Sequence, residues 1–221
     1  MPSPTALLLD MDGVLVDSKS VHHNAWRALF EPFGVDFTRE DFETTALGVS
    51  RDTVIRSVLG PDVDLQALMD KKAALVHDLL AAEGCAEIPG AHALLDEIHR
   101  RKIPVCLATS SRMPDPFLRA AGLLDALPHR VDRTQTQRGK PAPDIFVLAA
   151  KTLAHPPARC VVVEDSPAGV TAARAAGCAV VGLTSNHGPD ALKGCDQVIT
   201  ALHAFWPVWD RAVAEGGMPT E

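Results

Sequence analysis

The sequence predicts an α/β protein: a parallel sheet of short buried strands covered by helices, with an all-helical part inserted after the first strand. Three observations predict it. Short apolar runs at residues 6–10, 103–109, 160–164 and 178–183 are too brief for helices. Alanine- and leucine-rich stretches of helical period separate the later runs. Between the segment Asp10-Met11-Asp12-Gly13-Val14-Leu15-Val16-Asp17-Ser18 and Pro89-Gly90, helical patterns follow one another with no convincing strand. Strands that alternate with helices imply a parallel sheet.

The first strand, residues 6–10, stops at Asp10-Met11-Asp12-Gly13, where a glycine allows a sharp turn. Helical patterns then occupy residues 19–33, 39–47, 51–59 and 66–83. The expected division is a discontinuous core of residues 1–17 and 88–221 around an insertion of residues 18–87, which can lie over the strand ends as a lid. The strand at 103–109 leads to a crossover helix that Asp115 and Pro116 open and Gly122 closes. Residues 127–131 carry a weak strand pattern, and a helix starts near Pro143. After the strand at 160–164, Ser166 can cap a helix with Pro167 at its first position, and Gly177 ends it. The strand at 178–183 follows, Val198-Ile199 adds a short edge strand, and the segment after Trp209, ending Gly216-Gly217-Met218-Pro219, is expected to fray.

A chain of 221 residues buries a sizeable core as one large domain or as a domain with a small insertion. Its 21 basic and 28 acidic residues, a net charge of −7, argue against a nucleic-acid backbone or an anionic membrane surface as the main partner. Five cysteines, at 85, 106, 160, 178 and 195, are odd in number and lack C-x-x-C spacing, and three sit in apolar runs. They read as reduced, buried thiols of a cytoplasmic protein. The opening Met1-Pro2-Ser3-Pro4-Thr5 has no basic flank, and Asp10 interrupts the apolar run that follows, so no targeting or membrane segment is expected.

Asp10 and Asp12 are on alternate positions at a strand end, so their carboxylates can converge. One then serves as nucleophile or metal ligand and the other as acid/base, a pairing that predicts phosphoryl chemistry; an Asx turn after a strand is the plainer reading of the same four residues. Three other segments bear on the choice. Ala108-Thr109-Ser110-Ser111 follows the second apolar run, Gly139-Lys140-Pro141-Ala142-Pro143-Asp144 precedes a helix, and Val163-Glu164-Asp165-Ser166-Pro167-Ala168-Gly169 ends the third run. The three strand-end segments sit where open α/β sheets place ligands and can share one cleft. Two like charges facing a phosphate need a cation, and Mg²⁺ suits Asp10 and Asp165, with Glu164 acting through water. Thr109 and Ser110 offer hydroxyls and N–H groups to phosphate oxygens, and the Lys140 ammonium can neutralise both phosphate and Asp10.

These four segments, in this order and spacing, resemble the motifs of the haloacid dehalogenase superfamily, whose phosphatases carry D-x-D-G-x-L-x-D-S, here residues 10–18. The resemblance covers nearly the whole chain. It implies a Rossmann-like core with an α-helical cap inserted after the first strand, and phosphoryl transfer rather than dehalogenation, because Asp12 is present. It also implies Asp10 as nucleophile, Asp12 as acid/base and donor of a backbone carbonyl to the metal, Thr109 as the phosphate-binding hydroxyl, and Lys140 as the catalytic cation. In the cap, His22 shares a stripe with Ala25, Trp26, Leu29 and Phe33; a packed histidine fits there, and so does the histidine that assists proton traffic in beta-phosphoglucomutase-like relatives. Leu47-Gly48-Val49-Ser50-Arg51 resembles the cap loop of those relatives, with Arg51 matching a residue that binds substrate phosphate or hydroxyls. Leu47 replaces their lysine, which turns the expectation from a phosphomutase towards hydrolysis. A binding protein without catalysis would have lost at least one of Asp10, Asp12, Lys140 and Asp165, and all four are present. The expected function is a Mg²⁺-dependent phosphatase for a small phosphorylated metabolite, most plausibly a sugar phosphate, acting through a phosphoaspartate.

Overall fold

The computed structural model describes residues 2–46 and 49–218; Leu47 and Gly48 of the expected cap loop lie outside the described residues. The chain divides into two units, one joining Met1–Asp17 to Ala86–Glu221 and the other comprising Ser18–Cys85. In chain order, strand β1 (Ala6–Leu9) is followed by a two-residue strand β2 (Val16–Asp17). Helices α1 (Lys19–Phe30), α2 (Arg39–Asp41), α3 (Arg51–Leu59) and α4 (Leu65–Glu83) form the second unit. The chain returns through β3 (Ala86–Glu87), α5 (Ala91–Arg100), β4 (Val105–Ala108), α6 (Pro114–Ala120) and β5 (Arg130–Val131). It continues with α7 (Asp144–Thr152), β6 (Cys160–Glu164), α8 (Pro167–Ala176), β7 (Ala179–Leu183), β8 (Gln197–Ile199) and α9 (Phe205–Ala214).

Six strands form one parallel sheet in the order β5-β4-β1-β6-β7-β8. Every residue of β1, β4, β6 and β7 is buried, as helix-covered parallel strands require. One face, formed by Ala6, Leu8, Cys106, Val162 and Val180, packs against Ile145, Phe146 and Ala149 of α7 and Val170 and Ala173 of α8. The first strand is central: Leu7 pairs with Val105 on one side and Val161 on the other. The connections reverse direction across β1, so the carboxyl ends of β1 and β6 border the crevice where such sheets bind ligands. Cys106, Cys160 and Cys178 are buried core residues, and burial pushes the Cys106 and Cys178 thiols up to about 12.

The helical unit has its own core of Trp26, Leu29, Phe30, Phe37, Phe42, Val54, Ile55 and Leu68, with Trp26 stacked on Phe30 at 5.4 Å between centroids. Among the described residues no helix is long and apolar enough to cross a membrane.

Several boundaries differ from the sequence expectation for local physical reasons. β2 and β3 pair antiparallel, Val16 with Glu87 and Asp17 with Ala86, and β3 lies in a segment read as free of strands. This pairing ties residues 86 and 87 to the core, so the second junction falls after Cys85 rather than after residue 87. The first helical pattern ends at Phe30; Pro32 and the left-handed Gly34 turn its tail into a short 3-10 helix. The pattern at 39–47 becomes one α-turn followed by a π-turn over Phe42–Ala46. There the Thr44 and Thr45 hydroxyls donate to the carbonyls of Glu40 and Asp41, four residues back, and open the helix. Asp115 does not cap α6: Pro114 takes the first helical position, and Asp115 instead pairs with Arg130 at 3.0 Å. The segment after Trp209 stays helical to Ala214, because Phe205, Trp209 and Ala212 form one buried face.

Ser166 does cap α8, accepting from the Gly169 N–H at 3.1 Å, and Gly177 closes it with φ +83°. The two glycines of this segment predict contrasting substitutions. A Cβ at Gly177 meets nothing, so Gly177→Ala suffers only the left-handed backbone, about 1 kcal/mol. A Cβ at Gly169 would overlap the buried Glu164 carboxylate. Gly169→Ala should therefore cost about 2–4 kcal/mol despite alanine's better helix propensity. Urea unfolding of both variants checks this; equal losses would mean that α8 tolerates the extra methyl.

Candidate active site

The carboxyl edge of the sheet gathers the motif residues of the core unit. Asp10 follows β1, its N–H bonded to the Val163 carbonyl of the neighbouring strand at 3.1 Å. The loop after it folds tightly around one carbonyl: Val14, Leu15 and Val16 all donate to Met11, and Gly13 donates to Val16. Gly13 has φ +79°, and a Cβ there would overlap the Asp165 carboxylate and the Asn186 amide. Position 13 thus demands glycine for backbone conformation and for space.

Lys140 reaches this edge from the loop before α7, through a cis Lys140–Pro141 peptide. Its ammonium is buried and uses all three donors: Asp10 Oδ1 at 2.6 Å, Glu164 Oε1 at 2.6 Å and the Ala108 carbonyl at 3.2 Å. The face of Phe146 lies 4.9 Å from it. Burial alone would lower the pKa of this lysine, but Asp10 and Glu164 raise it well above its usual value, so it stays charged. Glu164, fully buried at the end of β6, is committed at both oxygens. Oε1 takes Lys140, and Oε2 accepts from the Asp165 N–H, the Ser166 N–H and the Ser166 hydroxyl, each at 2.9 Å. It therefore fixes the turn that presents Asp165.

Asp10, Glu164 and Asp165, all buried, each bring a carboxylate oxygen within 4.8 Å of the others. Burial raises Asp10 well above the usual carboxylate range; Lys140 opposes this, while Glu164, Asp165 and Asp12 add to it. Burial and Glu164 push Asp165 up to about 7, with Asp12 adding and the Asn186 hydrogen bond and Lys140 opposing. Four carboxylates against one ammonium are too many to ionise together in a dry site. An all-oxygen cluster short of positive charge fits a hard divalent cation.

Thr109 and Ser110 follow β4. The Thr109 N–H is used by the sheet, donating to Val131, and its hydroxyl accepts from the Ser111 N–H at 3.0 Å, which leaves the hydroxyl proton to point elsewhere. Thr109 is buried and Ser110 exposed.

The helical unit carries the other expected residues. Arg51 is the first residue of α3, behind Ser50, and His22 lies in the first half of α1. Burial, with the charges of Lys72 and Arg51, holds His22 down to about 3, so the imidazole is neutral. Lys72 is the residue that sequence reading missed. It is 2% exposed, its ammonium sits 4.3 Å over the Trp26 ring, and burial with the Arg51 charge lowers it to about 7. The signal was present: Leu68, Lys72, Val76 and Leu80, spaced by four, are the buried stripe of α4.

A second omission is the loop after β7. The Ser185 hydroxyl donates to the Gly13 carbonyl, the Asn186 amide to Asp165 Oδ2, and His187 Nδ1 lies 2.9 Å from the Asp165 carbonyl. A polar run at the carboxyl end of a parallel strand was the available clue.

Comparison with known proteins agrees with this arrangement. A family model described as a haloacid dehalogenase-like hydrolase matches residues 4–177. The beta-phosphoglucomutase of Bacillus subtilis is 32% identical over 216 residues, covering 91% of this chain and 95% of that protein. Hexitol phosphatase A of Escherichia coli is 33% identical over 201 residues, covering 88% and 90%. The crystal structure of a CbbY variant from Rhodobacter sphaeroides in complex with xylulose-(1,5)bisphosphate superposes with a TM-score of 0.79 at 25% identity, covering 91% of this chain and 95% of that one. With the motifs joined at one sheet edge and a family model spanning most of the chain, the protein belongs to the haloacid dehalogenase-like hydrolases.

Proposed function

We propose that the chain is a Mg²⁺-dependent phosphatase that hydrolyses a small phosphorylated metabolite, a sugar or polyol phosphate, through a phosphoaspartate on Asp10. The observation that carries the reading is the buried group of Asp10, Lys140, Glu164 and Asp165. Lys140 holds Asp10 Oδ1, which orients the second oxygen for attack on phosphorus. The P–O bond to the leaving group breaks as the Asp10–phosphorus bond forms, and Asp12 supplies the proton the leaving oxygen needs. Asp12 then takes a proton from the water that cleaves the acyl phosphate, returning Asp10 to its carboxylate. Thr109 and Ser110 donate to phosphate oxygens as charge shifts. Asp10 and Asp165 would hold the cation together with the Asp12 carbonyl, and when bound it offsets the negative charge shared by phosphate and carboxylates. Glu164 acts by fixing Lys140 and the Asp165 turn.

Substrate selection belongs to the helical unit, proposed as a cap. Arg51, Lys72 and His22 influence one another electrostatically there, and a buried lysine and an arginine suit the hydroxyls or second phosphate of a sugar phosphate. Two relatives name the neighbouring chemistries, a hexitol phosphatase and a beta-phosphoglucomutase. The second reading, a phosphomutase, is favoured by the 32% identity to that mutase; Leu47, where the mutase-type loop has lysine, favours hydrolysis.

Phosphate release over a panel of sugar and polyol phosphates, with Mg²⁺ and with chelator, tests the proposal. Folded Asp10→Asn should lose release by about a thousandfold or more, and chelator should abolish it in the wild type. Near-wild-type release by Asp10→Asn would exclude the covalent route. With beta-glucose 1-phosphate, orthophosphate should dominate; rapid formation of glucose 6-phosphate would establish the mutase reading.

Lys72 separates binding from folding. Lys72→Met keeps the volume and removes a buried cation, so stability should rise by about 1 kcal/mol or more. KM should rise about tenfold with kcat changed less. Denaturant unfolding and steady-state kinetics check both; an unchanged KM would assign Lys72 to packing alone.

A further inference from the structure

We propose that Asn186 is a positioning residue for the metal site: its amide holds Asp165 Oδ2 and thereby turns Oδ1 towards the cation. This rests on the reading of Asp10 and Asp165 as metal ligands. Three observations carry it. The Asn186 Nδ2 donates to Asp165 Oδ2, and both groups occupy the space that a Cβ at Gly13 would fill. The backbone of Asp165 is held separately: its N–H goes to Glu164 Oε2 and its carbonyl accepts from His187 Nδ1. With the main chain fixed, the carboxylate torsion is the remaining freedom, and the Asn186 amide donates to that carboxylate. The loop carrying Asn186 is itself tied to the Gly13 carbonyl through Ser185.

The residue type fits the task. A lysine or arginine at position 186 would neutralise Asp165 and compete with a divalent cation for it. An aspartate would add a fifth carboxylate to the cluster. A neutral amide fixes one oxygen and leaves the charge of the carboxylate for the metal. Groups that orient metal ligands in this way typically account for about 10- to 100-fold in metal affinity.

The test is Mn²⁺ binding by the whole protein, read from the loss of the free-ion electron paramagnetic resonance signal, alongside thermal unfolding in chelator. Asn186→Ala should raise the Mn²⁺ Kd at least tenfold while moving the chelated Tm by only a few degrees. Asn186→Ser, which keeps a hydroxyl but not the reach of the amide, should also weaken binding and serves if the alanine variant does not fold. Wild-type binding with an unchanged Kd in a folded variant would overturn the role of Asn186 alone. A chelated Tm that collapses in step with affinity would make the loop a general scaffold and overturn it as well. Wild-type protein that binds no Mn²⁺ would overturn the metal reading and this proposal together.

Discussion

The ion pair of Lys140 with Asp10 and Glu164 is the interaction on which the rest of the core edge depends. A single buried ammonium, with every N–H engaged, draws together the end of β1, the end of β4 and the end of β6. Removing water from such a group is expensive, and only two carboxylates at 2.6 Å make its burial tolerable. The arrangement serves chemistry more than stability. An apolar trio of similar volume would pack as well or better, but it would leave no fixed cation beside Asp10.

Around that pair the carboxylates have a division of labour set by what each oxygen touches. Glu164 spends both oxygens on protein donors and behaves as scaffold. Asp10 gives one oxygen to Lys140, and Asp165 gives one to Asn186. Burial disfavours the ionised forms of Asp10 and Asp165. The shortage of positive charge thus falls at Asp10 and Asp165, while Glu164 is paired with Lys140 and holds the turn after β6.

Much of this was legible in the sequence because the relevant signals are short-range. Asp10 and Asp12, Thr109, Lys140 and Glu164-Asp165 each sit at a strand end or before a helix in a segment of a few residues, and a strand end announces itself when an apolar run stops. The parallel sheet followed from the alternation of those runs with helices, and the Ser166 cap from residue type alone. What escaped depends on contacts between distant segments. Asp115 looked like a cap until Arg130, a strand away, claimed its carboxylate. Asn186 has no motif of its own; it matters because β7 lies beside β6 and delivers it to Asp165. Lys72 drew no notice in the sequence, although it lies on the stripe of Leu68, Val76 and Leu80. The antiparallel pair of β2 and β3 has two residues per strand, below the length at which alternation can be seen.

The central position of β1 also bears on how the protein is made. Among the six strands of the sheet it is the earliest in the chain, and its partners β4 and β6 come much later, with the whole helical unit intervening. The loops that must close are long, so the sheet has high contact order and its first strand waits unpaired, an apolar segment with exposed edges. The helical unit, built from local contacts with a core of its own, is positioned to fold during that wait. Asp10 meets Asp165 only when β6 has arrived, and the Gly13 loop is locked only when Ser185 and Asn186 follow. A nascent or truncated chain that stops short of β7 therefore has Asp10 without its finished surroundings, and this edge of the sheet is complete only once β7 and the loop after it have formed.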